Sequence, residues 1–219
     1  MPGGAGATLQ AEGIHRLLFI FLLATIFVGG TTYFLIFWSL INYRRKDDRV
    51  PPQFRGQPLI ESLCIGTAVA IVLVLFVFSN DVEKFVDLDR PNAPVRIRIT
   101  GFQWSWRFEY LGGGPVITGT PASPPTLVLP IGETVHFEIT SADVVHSFFI
   151  PEFYFKRMAI PGYTSGFDLN VVHPGVYRGV CGEFCGLDHA YMNFSVSAQS
   201  QTAFAAWLAR ERPARARAP

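Results

Sequence analysis

The sequence predicts two transmembrane helices forming a hairpin, followed by an all-β domain of the Greek-key sandwich or barrel type. Three observations carry this expectation. Two charge-poor apolar runs lie near the N-terminus, the segment "GFQWSWRFEY" alternates aromatic with polar side chains, and short β-rich runs recur between Gly- and Pro-rich breaks along the rest of the chain. Composition agrees: 49% of the 219 residues are hydrophobic and only 16% are charged, which is too apolar for an ordinary soluble domain.

Residues 17–41 carry no formal charge, and residues 59–78 carry one, Glu61, near their start. A bilayer core takes about 20 apolar residues in a helix, so helices are expected over about 17–41 and 59–79. The first run is too long for the apolar core of a signal peptide, and only Glu12 and Arg16 precede it as charges. Between the runs, "NYRRKDDRVPPQFRGQP" holds Arg44, Arg45, Lys46, Arg49 and Arg55. Lys and Arg collect in cytoplasmic loops, so both termini are expected on the outer side.

Residues 81–94, rich in Asp and ending in "RPNAP", read as a linker from the 1–80 hairpin to a domain at 95–198. Residues 101–110 read as one strand by their period of two, with shorter strands at 95–99, 126–129, 134–140, 146–150, 166–171, 176–181 and 193–196. In "SQTAFAAWLARER", Phe204, Trp207 and Leu208 share one face of a short helix, so residues 199–219 read as that helix and a basic tail.

An exported domain sits in an oxidising compartment, where two nearby cysteines commonly pair. "VCGEFCGLDHAYMNF" crowds Cys181, Cys185, His189 and Met192 together, and His146 lies upstream. Two thiols, two imidazoles and a thioether suit copper. A Cys181–Cys185 disulfide leaves His189 and Met192 without a role; zinc has no use for Met; a mononuclear blue-copper site takes one Cys. His15, His136 and His173 read as ordinary side chains, His136 lying on the polar face opposite Val135, Phe137 and Ile139. The net charge of +1 gives no sign of a nucleic-acid partner.

The motifs "HSFFIPEF", "AIPG", "GVYRGVCGEFCGLDHAYM" and "GFQWSW", behind two membrane helices, resemble subunit II of haem-copper cytochrome c oxidases over about residues 14–196. That resemblance implies a cupredoxin-type sandwich carrying the dinuclear copper centre called CuA. Cys181 and Cys185 would bridge the coppers, His146 and His189 would each bind one, and Met192 and the Glu183 carbonyl would complete the set. It further implies a magnesium ion at the Glu183 side chain, the electron entering at Trp104, partner docking near Asp143, and Glu61 at the mouth of a proton channel. On pattern alone Trp104 reads as strand core and Glu61 as a carboxylate favoured at a helix N-terminus. Cys64, Phe102, Met158, Val180 and Gly182 depart from the family pattern without removing a metal ligand.

The implied setting is a bacterial plasma membrane, with the copper domain outside and the haem-bearing subunit I and other oxidase subunits as partners. The implied role is to take electrons from cytochrome c for dioxygen reduction in subunit I. No C-x-x-C-H occurs, so a fused c-type haem is not expected, and the copper ligands argue against a quinol donor. From residue 80 to 198 the chain has 12 acidic and 8 basic side chains, a net charge of −4, which suits a basic donor. A membrane-anchored copper carrier and the CuA subunit of a nitric oxide reductase are the alternatives.

Overall fold

In the computed structural model, residues 6–45, 50 and 56–211 are described. Lys46, Arg49 and Arg55 of the basic loop, and the tail at 212–219, lie outside them. The chain divides into two compact units: His15–Glu83, and Met1–Ile14 with Lys84–Pro219.

Helices α1 (Leu9–Asn42) and α2 (Pro58–Val86) supply the first unit with all but their outer ends and are long and apolar enough to cross a membrane. Neither has a buried stripe within its span; Phe19, Phe27, Phe34, Leu63, Val72 and Phe76 are all exposed. A helix apolar on every side needs a lipid environment. Its polar side chains turn back on their own backbone: Thr25, Thr31 and Thr32 donate to the carbonyls of Phe21, Phe27 and Val28.

Both helices extend beyond the uncharged runs. α1 begins eight residues earlier because Thr8 caps it, its hydroxyl accepting from the Ala11 N–H at 3.0 Å, with Glu12 in the first turn where the helix dipole favours it. α2 continues through Asp81, Glu83 and Lys84, since charged residues end a membrane span without ending a helix.

The second unit is a sandwich of two five-stranded sheets. One has the order β3–β2–β1–β5–β8, built from β1 (Val95–Phe102), β2 (Ser105–Tyr110), β3 (Val116–Thr118), β5 (Thr134–Ser141) and β8 (Ser165–Asn170). The other runs β4–β10–β9–β6–β7, from β4 (Thr126–Pro130), β6 (His146–Ile150), β7 (Phe155–Ala159), β9 (Gly175–Cys181) and β10 (Asn193–Gln199). α3 (Gln201–Glu211) follows, its Phe204 and Trp207 rings lying 6.4 and 5.0 Å from Tyr110.

"GFQWSWRFEY" is not one strand. β1 ends at Phe102, Gln103 and Trp104 turn, and β2 returns antiparallel with Phe102 opposite Ser105. Alternation persists across the turn because both arms face the same core, so periodicity alone could not reveal it. The short β3 and the β7 strand "FKRMA" also escaped the pattern, β7 because it bears Lys156 and Arg157 at an edge.

Aromatic rings fill the space between sheets. Phe148 stacks on Phe194 at 4.5 Å, and Trp106 meets both edge-on at 5.7 Å. Gly179 is required beside them, since a Cβ there would lie 2.0 Å from the Phe194 ring. Tyr110 of one sheet ties to Val128 of the other: its hydroxyl donates to the Val128 carbonyl and accepts from the Val128 N–H, both at 2.8 Å.

The outer face of β5 and β8 is covered as well. Leu88 accepts from the Asp168 N–H, Arg90 N–H donates to the Asp168 carboxylate, and Gln10 donates to the Asp168 carbonyl. His136 is therefore buried, at 3% exposure, rather than on a solvated polar face. The face is polar in sequence, but the segment after α2 and residues 7–10 lie across it.

Phe148→Ala should cost about 3–5 kcal/mol of stability, the usual loss for a buried aromatic. Urea unfolding of the detergent-solubilised full chain, followed by tryptophan fluorescence, measures it; a loss under about 1 kcal/mol would mean that the Phe148–Phe194 stack is not central to the core.

Candidate metal centre

Antiparallel pairing of β6 with β9, Phe148 opposite Cys181, sets the site. His146 is the first residue of β6 and Cys181 the last of β9, so the two ends meet at one rim of the sandwich. The loop that follows carries Cys185, a one-turn 3₁₀ helix begins at His189, and Met192 precedes β10. Met192 O accepts from the Cys181 N–H at 3.0 Å, which closes the loop on itself, and Gly186 takes a positive φ of 118° within it.

The soft donors converge. Cys181 Sγ lies 3.9 Å from Cys185 Sγ and 3.9 Å from His146 Nδ1; Cys185 Sγ lies 3.5 Å from His189 Nδ1 and 3.7 Å from Met192 Sδ. The Glu183 carbonyl is 3.2 Å from Cys181 Sγ. His146 and Met192 are almost fully buried, and both cysteines are buried free thiols. A disulfide would need the sulfurs near 2.05 Å.

Burial raises the pKa of both thiols. At Cys181 the His146 ring and the Ser147 main chain outweigh burial and bring it down to about 6. At Cys185 burial and the charge of Cys181 act together and push it up to about 12. The pair thus releases one proton readily and holds the second, because two thiolates this close repel. A bound cation removes that repulsion, so the cluster fits a thiophilic metal.

Asp143 holds the cluster from outside. Its carboxylate receives His146 Nε2 at 2.8 Å, which leaves Nδ1 facing Cys181, and it accepts the Gln103 and Val144 N–H groups at 2.7 and 2.6 Å. Burial raises its pKa, but these donors outweigh burial and lower it. The sequence pointed to Asp143 only as a docking residue; its spacing of three from His146 was the available signal for a ring-orienting partner. Trp104 is half-buried in the β1–β2 turn, not on a strand, and its indole N–H donates to the Cys185 carbonyl at 3.1 Å beside Gln103 Nε2 at 2.8 Å. Gln103 was not foreseen.

The Glu183 side chain pairs with Lys156 at 2.7 Å on the surface. Glu61 is distant in sequence and belongs to the helical unit, where its carboxylate accepts from the Gln57 N–H at 3.1 Å at the start of α2. Around the rim, Phe184, Leu187 and Tyr191 are exposed.

Fold and site define a membrane-anchored protein with a β-sandwich whose rim carries a Cys₂–His₂–Met cluster, in which His146, both cysteines and Met192 are buried and His189 is partly exposed. A sequence model described as "Cytochrome C oxidase subunit II, periplasmic domain" matches residues 122–199. A probable cytochrome c oxidase subunit 2 of Streptomyces avermitilis is 34% identical, the match spanning 81% of this chain and 68% of that one. Cytochrome c oxidase subunit 2 of Cereibacter sphaeroides is 30% identical over 96% of this chain and 81% of its own. The crystal structure of the periplasmic domain of subunit II of cytochrome oxidase (CoxB) of Bradyrhizobium japonicum superposes with a TM-score of 0.50 at 29% identity, over 55% of this chain and 95% of that one. The chain belongs to the cytochrome c oxidase subunit II family, and its sandwich is of the cupredoxin-like kind.

Asp143→Asn should weaken binding of copper about 10–100-fold, the range for losing a carboxylate that orients a ligating imidazole. Competition against a chelator of known affinity measures this; unchanged affinity would show that His146 needs no such support.

Proposed function

We propose that this chain is the electron-accepting subunit of a haem-copper terminal oxidase, taking electrons from cytochrome c and delivering them to haem in the catalytic subunit I. The observation that carries this reading is the convergence of six donors on one rim: His146, Cys181, Cys185, His189, Met192 and the Glu183 carbonyl, with the two sulfurs kept as thiols. These residues would hold the dinuclear CuA centre. Copper held there supplies a one-electron couple.

The chain's own residues prepare the site for that couple. β6 and β9 hold their ligands on a rigid scaffold, so the donor positions need not reorganise. Phe148, Phe194 and Trp106 close the inner side against water. Asp143 keeps the His146 ring turned toward Cys181. Trp104, half-buried and hydrogen-bonded to the main chain of Cys185, offers a short bonded path from the rim to a ligand and is the proposed point where the electron enters.

The net charge of −4 over residues 80–198 would attract a basic cytochrome, with Asp143 at the docking surface and exposed Phe184, Leu187 and Tyr191 giving an apolar contact. Glu183 is the proposed magnesium ligand, in which case its pairing with Lys156 gives way in the assembled oxidase. Glu61 is the proposed proton-channel mouth. A cytoplasmic position for the basic loop would put the copper domain and both termini outside a bacterial plasma membrane.

Electron paramagnetic resonance of the copper-loaded full chain, with metal counted on the same sample, should give two coppers per chain and a seven-line pattern from one electron shared over both. One copper with four lines overturns the reading and favours a copper carrier. The rate at which reduced cytochrome c reduces the oxidase should fall as ionic strength rises past about 0.1 M, and Trp104→Phe should slow it with the seven-line pattern intact. A salt-independent rate rules out electrostatic steering, and an unchanged rate in the variant removes Trp104 from the path.

A further inference from the structure

On the outer face of β5 and β8, away from the thiol cluster, three more ligating side chains meet. One donor atom each from Asp89, His136 and Asp168 lies within 4.8 Å of the others. The strand register brings two of them together: His136 stands opposite Asp168, and Glu138 opposite Gly166. Since alternate residues share a face, Gly166 lies beside Asp168 on the His136 side of the sheet.

Asp89 arrives from the segment after α2, and its carboxylate occupies the space over Gly166. A Cβ at Gly166 would lie 2.7 Å from both Asp89 oxygens, so the notch exists only because that residue is glycine. His136 Nδ1 is 2.9 Å from Asp168 Oδ1 and 3.4 Å from Asp89 Oδ1. Donors bound at about 2.0–2.1 Å to one tetrahedral ion stand roughly 3.3 Å apart, so the present spacing is already close to that of a ligand set.

The donors present do not satisfy this group. Asp168 is 2% exposed. Its Oδ1 takes the Arg90 N–H at 3.1 Å and faces His136, while its Oδ2 is buried with no hydrogen-bond partner among the described residues. A buried carboxylate oxygen without a partner is costly. A single N–H at Nδ1 can be given to only one of the two carboxylates, whereas a cation can serve both.

We propose that Asp89, His136 and Asp168 bind one divalent ion of the zinc class, in a site separate from the copper ligands. Two carboxylates and one imidazole, with no sulfur, match zinc rather than copper(I). Asp89 is 55% exposed, so water completes the coordination from the open side. The ion would fasten residues 87–90 to the outer face of the sandwich.

The test is titration of Zn²⁺ into the detergent-solubilised full chain already loaded with copper, by calorimetry and thermal unfolding. One additional equivalent should bind and raise the Tm. Asp89→Asn, at a half-exposed position, should weaken binding about tenfold or more and abolish the Tm shift, with copper content and the EPR pattern unchanged. His136→Gln should do the same. Absence of an additional equivalent overturns the proposal, as does equal zinc affinity in Asp89→Asn, which would place the ion elsewhere, for example at Glu183.

Discussion

Phe148 and Phe194 stack at 4.5 Å between the two sheets, and each lies two residues after a side chain of the candidate metal cluster. His146 is two residues before Phe148 on β6; Met192, the residue just ahead of β10, is two before Phe194; Cys181 stands directly across from Phe148 on β9. One apolar contact therefore sets the positions of three strand ends at once. Gly179 belongs to the same constraint, because any side chain there would displace the Phe194 ring.

The rim is held by polar contacts of a different kind. Asp143 connects the β1–β2 turn, through the Gln103 N–H, to the His146 ring. Gln103 and Trp104 side chains reach across to the Cys185 carbonyl. These bonds join segments more than 80 residues apart in the case of Cys185, and they locate the loop whose own backbone has little regular structure. With the sulfurs 3.9 Å apart and buried, the loop keeps two thiols close without letting them pair, and mutual repulsion of the thiolates makes a bound cation the natural way to relieve the strain.

The helical unit obeys a simpler rule. Its side chains are exposed over most of the span, so their hydrophobicity is answered by lipid, and the hydroxyls of Thr25, Thr31, Thr32 and Ser79 bond to their own helix. Its helices run past the uncharged stretches because absence of charge marks the hydrocarbon thickness, while a helix ends where caps and tertiary contacts decide, as at Thr8.

By itself the sequence determined the two membrane spans, the β character of the rest and the donor set of the thiol cluster, because length, period and residue type are local properties. The 3.9 Å approach of Cys181 to His146 depends on how β6 pairs with β9, which no local pattern encodes. Tertiary structure alone decided that "GFQWSWRFEY" turns at Gln103 and Trp104, since both arms satisfy the same alternation. It also decided that His136 is buried. A polar strand face looks solvated until another segment lies across it, and here residues 87–90 bring Asp89 over Gly166 and leave an Asp168 oxygen without a partner among the described residues.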